Sequence, residues 1–151
     1  MLLPWIDHPN ITAVLFAGLP GQESGNSLVD VLYGEYNPSG RLPYTIANSP
    51  LDYPANVIYD TSDPILEIPY REGLYIDYRW FDYKNIEPTF PFGFGLSYTH
   101  FKYSKARVSI SEAYVIVTVH ISNDGNLDGH EVAQLYLGFP PSAKEPPKVR
   151  R

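Results

Sequence analysis

Ala13 to Ala17 is an unbroken apolar run with no alternation, which is how a strand buried on both faces reads. It is followed by Gly18-Leu19-Pro20-Gly21-Gln22-Glu23-Ser24-Gly25, a turn punctuated by glycine and proline. Leu28, Val29, Val31 and Leu32 then fall at i, i+1, i+3 and i+4, one face of a helix, with Gly34 in the position of a C′ residue. Strand, glycine turn and amphipathic helix together predict one βα unit of a layered α/β domain. Upstream, Trp5, Ile6 and the turn Asp7-His8-Pro9-Asn10 read as the end of a helix and a connector. A domain rarely begins one turn before a buried central strand, so the pattern predicts a chain that starts within a domain.

Beyond the helix, Asn37-Pro38-Ser39-Gly40 has proline and glycine where a β-turn wants them. Leu42-Pro43-Tyr44-Thr45-Ile46 predicts a short edge strand, since proline cannot donate to a ladder. Residues 47–71, with prolines at 50, 54, 64 and 69, predict a long surface loop. In the aromatic stretch 72–92, Leu74, Ile76 and Tyr78 alternate with Tyr75, Asp77 and Arg79, a strand-like period. Phe92 to Tyr98, with its two glycines, reads as a structured linker. From Phe101 onward three alternating, β-branched strands are expected, at 105–110, 113–122 and 131–139. In the second, Val115, Val117, Val119 and Ile121 share a face, and Asn123-Asp124-Gly125-Asn126 opens the next loop. Pro140, Pro141, Pro146 and Pro147 end the pattern.

Composition changes the picture in a few ways. The chain has 151 residues, room for one ordinary domain or parts of two. Its 13 tyrosines, 15 prolines and 11 glycines indicate turns and loops rather than long helices. A net charge of −6 argues against a nucleic-acid partner, which needs a basic face. No apolar run approaches the roughly 20 residues that span a bilayer, so no membrane role is expected. The amino terminus lacks the basic n-region and long apolar h-region of a signal peptide. The absence of cysteine leaves the redox compartment unread.

Gly18 to Asn26, Asn37-Pro38-Ser39-Gly40-Arg41-Leu42-Pro43 and Phe92-Gly93-Phe94-Gly95-Leu96-Ser97-Tyr98-Thr99 closely resemble family 3 glycoside hydrolases of the fungal β-glucosidase type. Glu72 to Asp82 and Glu131 to Leu137 fit the same family, so the resemblance runs along essentially the whole chain. It implies an α/β plus β architecture. Residues 1–99 would be the carboxy-terminal part of the family's α/β sandwich domain, and residues 100–151 a truncated fibronectin type III-like (Ig-like) β-sandwich holding three or four of about seven strands. It implies a secreted parent enzyme that hydrolyses terminal non-reducing β-D-glucosyl residues of cellobiose and short glucans, without a cofactor, and whose amino-terminal domains are missing here. Retaining hydrolysis needs two carboxyl groups about 5–5.5 Å apart. In the family these are an Asp on a barrel and a Glu on an earlier loop of the sandwich, and no residue here matches either. No catalytic residue is therefore expected, and the isolated chain should be catalytically silent. The competing reading is a non-catalytic carbohydrate-binding or assembly module.

Asp77, Arg79, Trp80 and Asp82 are the candidates for a substrate-binding rim, because sugars stack on aromatic rings and hydrogen-bond to carboxylates and guanidinium. The alternative is that Tyr75, Trp80 and Phe81 fill a seam between domains while Arg79 pairs with an acidic neighbour. Glu23 lies in a glycine loop after a buried strand, where α/β domains bind ligands, but a Glu in a first helical turn also complements the helix dipole and can take a cap hydrogen bond. Ser24 has no His or Asp at a nucleophile spacing. His8, His100, His120 and His130 share no metal-ligand spacing, so no metal site is expected. Asp60 and Asp63 read as turn residues, a calcium loop being the weaker option. Asn10-Ile11-Thr12 is a glycosylation sequon. Half a β-sandwich would leave unpaired edges and an uncovered apolar face, which predicts self-association of the chain by itself.

Overall fold

The computed structural model describes residues 2–59, 65–146 and 148–150. The chain divides into two compact units, Met1–Val14 with Arg41–Phe94 and Ala133–Arg151, and Leu15–Gly40 with Gly95–Val132.

In the first unit the core is small: Ile46, Ala47 and Phe81 are buried, with Thr45 beside them. The edge strand expected at 42–46 is reduced to an isolated antiparallel bridge between Ile46 and Phe90. Leu42 N–H donates to Phe94 O and Gly93 N–H to Leu42 O, both at 2.8 Å, so the two segments do run side by side. Pro43 and Pro91 lack the donors that would join these pairs into a ladder. Gly93 has φ 80°, the left-handed turn that lets Leu42 be reached twice.

The strand-like period at 74–79 does not make a strand. Asp77 adopts φ 52° and opens a helix in place of an extended run; this helix, α2, spans Tyr78–Lys84 and ends on left-handed Asn85. The physical reason is capping. The Asp77 carboxylate accepts the Tyr78 N–H at 2.6 Å, and a satisfied helix start outweighs a weak alternation. Phe81, one turn on from Tyr78, is the residue that α2 buries. Upstream, the loop at 47–59 is ordered by a capped 3-10 turn, Pro50–Asp52, in which Ser49 and Asp52 cap each other reciprocally.

At the other end of the unit, Tyr136–Gly138 (β3) pairs antiparallel with Lys148–Arg150 (β4). The strand expected over 131–139 is thus shorter, and the pattern does not end at the prolines, because the chain turns through Pro141–Ala143 and returns as β4.

The second unit contains helix α1, Ser24–Tyr33, where the apolar spacing places it. Gly34 closes it in the left-handed conformation (φ 85°), its N–H bonded to Val31 O. None of its residues is buried; Leu28, Val29 and Leu32 are 39%, 50% and 60% exposed. The apolar run at 13–17 forms no strand among the described residues. A strand buried on both faces needs neighbours in its sheet, and without them Val14, Leu15 and Phe16 stay 41–47% exposed.

The unit's sheet is the hairpin of β1, Phe101–Ile110, and β2, Val115–Asn123. Its turn is held by Ser111, whose hydroxyl accepts from Tyr114 N and donates to Tyr114 O. The register shifts between Ser104, opposite His120, and Arg107, opposite Thr118. Lys105 and Ala106 therefore face Val119 alone, a bulge that Lys105 accommodates at φ 53°. Either side of it, Tyr103 opposes Ile121 while Val108 and Ile110 oppose Val117 and Val115. The bulge thus keeps the apolar residues of β1 on the face of Val115, Val117, Val119 and Ile121 although their sequence parity changes.

Candidate functional site

Asp77 stands at the centre of the first unit's polar interior. Its Oδ1 accepts the backbone N–H of Thr45 at 2.8 Å. Its Oδ2 accepts the Thr45 hydroxyl at 2.8 Å and the Tyr78 N–H. Thr45 is only 2% exposed, so both its donors depend on this carboxylate. The Tyr53 hydroxyl completes the arrangement, accepting from Ala47 N and donating to Thr45 O, both at 3.1 Å. The Tyr53 ring meets buried Phe81 edge-on at 5.6 Å.

The remaining rim candidates lie along α2. Trp80 is half-buried and its indole N–H donates to Asp52 O at 2.8 Å. Lys84 Nζ lies 4.9 Å from the centroid of the Trp80 ring and 5.2 Å from that of Tyr83. Tyr83 itself lies 4.3 Å from Tyr75 and 6.4 Å from Trp80, centroid to centroid. Arg79 packs its guanidinium over the Tyr78 ring at 5.6 Å and donates from Nη1 to Leu74 O at 3.2 Å. Its Nε is buried without a hydrogen-bond partner among the described residues. Asp82 is half-buried on the same helix. The four candidates thus share one segment. Asp77 spends its carboxylate on the backbone and Thr45, while Trp80, Tyr83 and Lys84 form one aromatic and cationic cluster and Arg79 stacks separately on Tyr78.

The other residues singled out by sequence separate cleanly. Glu23 sits at the N-cap position of α1 rather than in its first turn, and its side chain makes no cap bond. Its Oε2 instead accepts the Asn26 amide at 2.7 Å. Ser24 begins the helix at the exposed surface. No group of three metal-ligating side chains occurs among the described residues. Asp60 and Asp63 lie outside the described residues. Asn10 is exposed on a turn in which its N–H meets His8 Nδ1 at 3.2 Å.

Sequence reasoning missed a second polar hub, in the other unit. Asn37, read only as a turn residue, donates from Nδ2 to Asp128 O at 3.0 Å. Its Oδ1 accepts the Ser97 hydroxyl at 3.0 Å and Tyr98 N–H at 2.8 Å. Thr99, 5% exposed, continues the chain of bonds to Asn123 Oδ1 at 2.7 Å, and Asn123 Nδ2 reaches Leu127 O. A Cβ at Gly125 would collide with Thr99 Oγ1, and one at Gly129 with Asn37 Nδ2. Three motifs far apart in sequence, 37–40, 97–99 and 123–129, are therefore one structural lock. Their shared Asn, Ser, Thr and Gly content was the available signal.

The pattern that describes the glycosyl hydrolase family 3 C-terminal domain matches residues 1–98, and the chain belongs to that family. It is 46% identical over 167 residues to the "Probable beta-glucosidase D" of Aspergillus niger, covering 97% of this chain and 22% of that protein. It is 47% identical over 171 residues to its counterpart of the same name in Aspergillus oryzae, again 22% of the relative. Among solved structures, the beta-D-glucoside glucohydrolase of Trichoderma reesei superposes with a TM-score of 0.78 at 46% identity, over 90% of this chain and 21% of that one. The chain thus spans about a fifth of the length of the curated relatives it matches.

Proposed function

We propose that this chain is a carboxy-terminal part of a retaining β-glucosidase that releases terminal β-D-glucosyl residues from cellobiose and short glucans. The carrying observation is the 46% identity across 97% of the chain with a relative named as a β-glucosidase. In this reading the parent is secreted, uses no cofactor, and takes its nucleophile and acid/base from segments that match nothing here. The chain contributes architecture, not reacting groups. Residues 1–99 belong to the α/β sandwich domain and 100–151 to a fibronectin type III-like sandwich. The family match ending at residue 98 and the start of β1 at Phe101 support that division. The test is incubation of the purified chain with a chromogenic β-glucoside. No release above buffer is expected, and turnover that disappears in Asp77→Asn or Asp82→Asn would refute the silent role.

A second reading has its own observation. Trp80, Tyr83, Lys84 and Arg79 present rings and cations on one short helix, the chemistry of a sugar-binding rim with Asp77 and Asp82 in the same segment. Calorimetric titration with cellobiose or a soluble glucan tests it; binding lost in Trp80→Ala supports a carbohydrate-binding module, and absence of binding removes it.

A further inference from the structure

Asn10-Ile11-Thr12 is the sequence's sole Asn-X-Ser/Thr triplet with a permissive middle residue; in Asn37-Pro38-Ser39 the middle residue is proline. The structure separates the two asparagines in the same sense. The Asn37 carboxamide is committed to Asp128, Ser97 and Tyr98. The Asn10 carboxamide makes no hydrogen bond among the described residues, and both Asn10 and Thr12 are exposed. The turn that carries Asn10 is fixed without its carboxamide: Ile11 N–H donates to His8 O at 2.9 Å, and Asn10 N–H to the His8 ring at 3.2 Å. A group attached at Asn10 Nδ2 therefore displaces no internal contact.

We infer that Asn10 is an N-glycosylation site, an inference that rests on the proposal of a secreted parent. The donor is an oligosaccharide linked through its anomeric carbon to a polyprenyl pyrophosphate. Asn10 Nδ2 forms the new bond to that carbon, the carbon–oxygen bond to pyrophosphate breaks, the amide nitrogen gives up one proton, and the polyprenyl pyrophosphate leaves. The Thr12 hydroxyl is the recognition group two residues on. The attached sugar adds hydrated bulk to a stretch in which Trp5 and Val14 leave apolar surface exposed.

The full chain expressed in yeast behind a cleavable secretory leader tests this. Leader-cleaved protein, taken from cells and medium together, should shift in mobility on endoglycosidase H digestion. Peptide-N-glycosidase should convert Asn10 to aspartate in the peptide map. The shift should vanish in Asn10→Gln and Thr12→Ala and persist in Thr12→Ser. The transfer precedes folding, so loss of stability in a variant does not obscure the readout. Leader-cleaved chain with unmodified Asn10 overturns the site. Because the leader guarantees entry to the lumen, that result is distinct from failure of the secreted reading, which a parent enzyme retained inside its own cells would show.

Discussion

Replacing Asp77 probes the first unit at its most connected point. Asp77→Ala removes the acceptor for three donors, Thr45 N–H, Thr45 Oγ and Tyr78 N–H, at 2.8, 2.8 and 2.6 Å. Hydrogen bonds to a charged group contribute about 1.5–3 kcal/mol each, so three at the lower figure give about 4–5 kcal/mol. Water entering the vacated space recovers part of this at Tyr78 but little at Thr45, which is 2% exposed. A loss of ~3–4 kcal/mol is expected, a large share of the ~5–15 kcal/mol that stabilises a typical domain. Asp77→Asn keeps one oxygen but turns an amide N–H toward a backbone N–H, and should cost about 1–2 kcal/mol. The assay is urea unfolding followed by fluorescence of Trp80 in a Trp5→Phe background, since these are the two tryptophans of the chain. With a slope of about 2 kcal/mol per molar urea, Asp77→Ala should lower the midpoint by roughly 1.5–2 M. Thr45→Val, which removes the hydroxyl alone, should couple with Asp77→Asn by at least about 0.5 kcal/mol in a double-mutant cycle. An Asp77→Ala midpoint within experimental error of the parent would show that the carboxylate does not hold this unit together.

Further outcomes follow from the same structure. Asn37→Ala deletes three hydrogen bonds and should destabilise the second unit by about 2–3 kcal/mol, with faster amide exchange at Tyr98 as the local readout. Gly93→Ala forces a Cβ onto the Gln134 side chain at φ 80°, and breaks the Gln134 bond to Gly93 O; about 2 kcal/mol should be lost in the same unfolding assay. Leu28→Glu with Leu32→Glu, on the exposed apolar face of α1, should raise the monomer fraction in sedimentation velocity, and an unchanged distribution would place self-association elsewhere.

Helix α1 was legible because Leu28, Val29, Val31 and Leu32 repeat at helical spacing and a glycine stops the helix. The strands of the β1–β2 hairpin were legible over 105–110 and 113–122, where alternation persists, but β1 begins earlier, at Phe101, on the far side of the bulge. Helix α2 was not, because seven residues are too few for a helical period to outweigh an accidental alternation, and its real signal is one cap, Asp77. The run at 13–17 had the composition of a central strand, but composition cannot supply the neighbouring strands that make one. In the candidate site, the chemistry of Arg79 and Trp80 was readable, whereas the engagement of Asp77 was not, since its partner Thr45 lies 32 residues away. Asn37 was hidden for the same reason, its partners lying 60 to 91 residues on. The bulge did leave a local trace: apolar residues at 101 and 103 are followed by others at 106, 108 and 110, and that odd step marks the extra residue.

The two-against-one pairing of Lys105 and Ala106 with Val119 gives the hairpin a phase, much as a reading frame has one. Chimaeras assembled from relatives must respect it. A crossover that imports the front half of β1 from a donor lacking the extra residue would turn Phe101 and Tyr103 to the side now occupied by Lys102 and Ser104, while every residue beyond Arg107 kept its place. Such a hybrid would preserve the residue types of both parents and still lose the shared apolar face, so exchange is best made in whole strands or confined to one side of position 105.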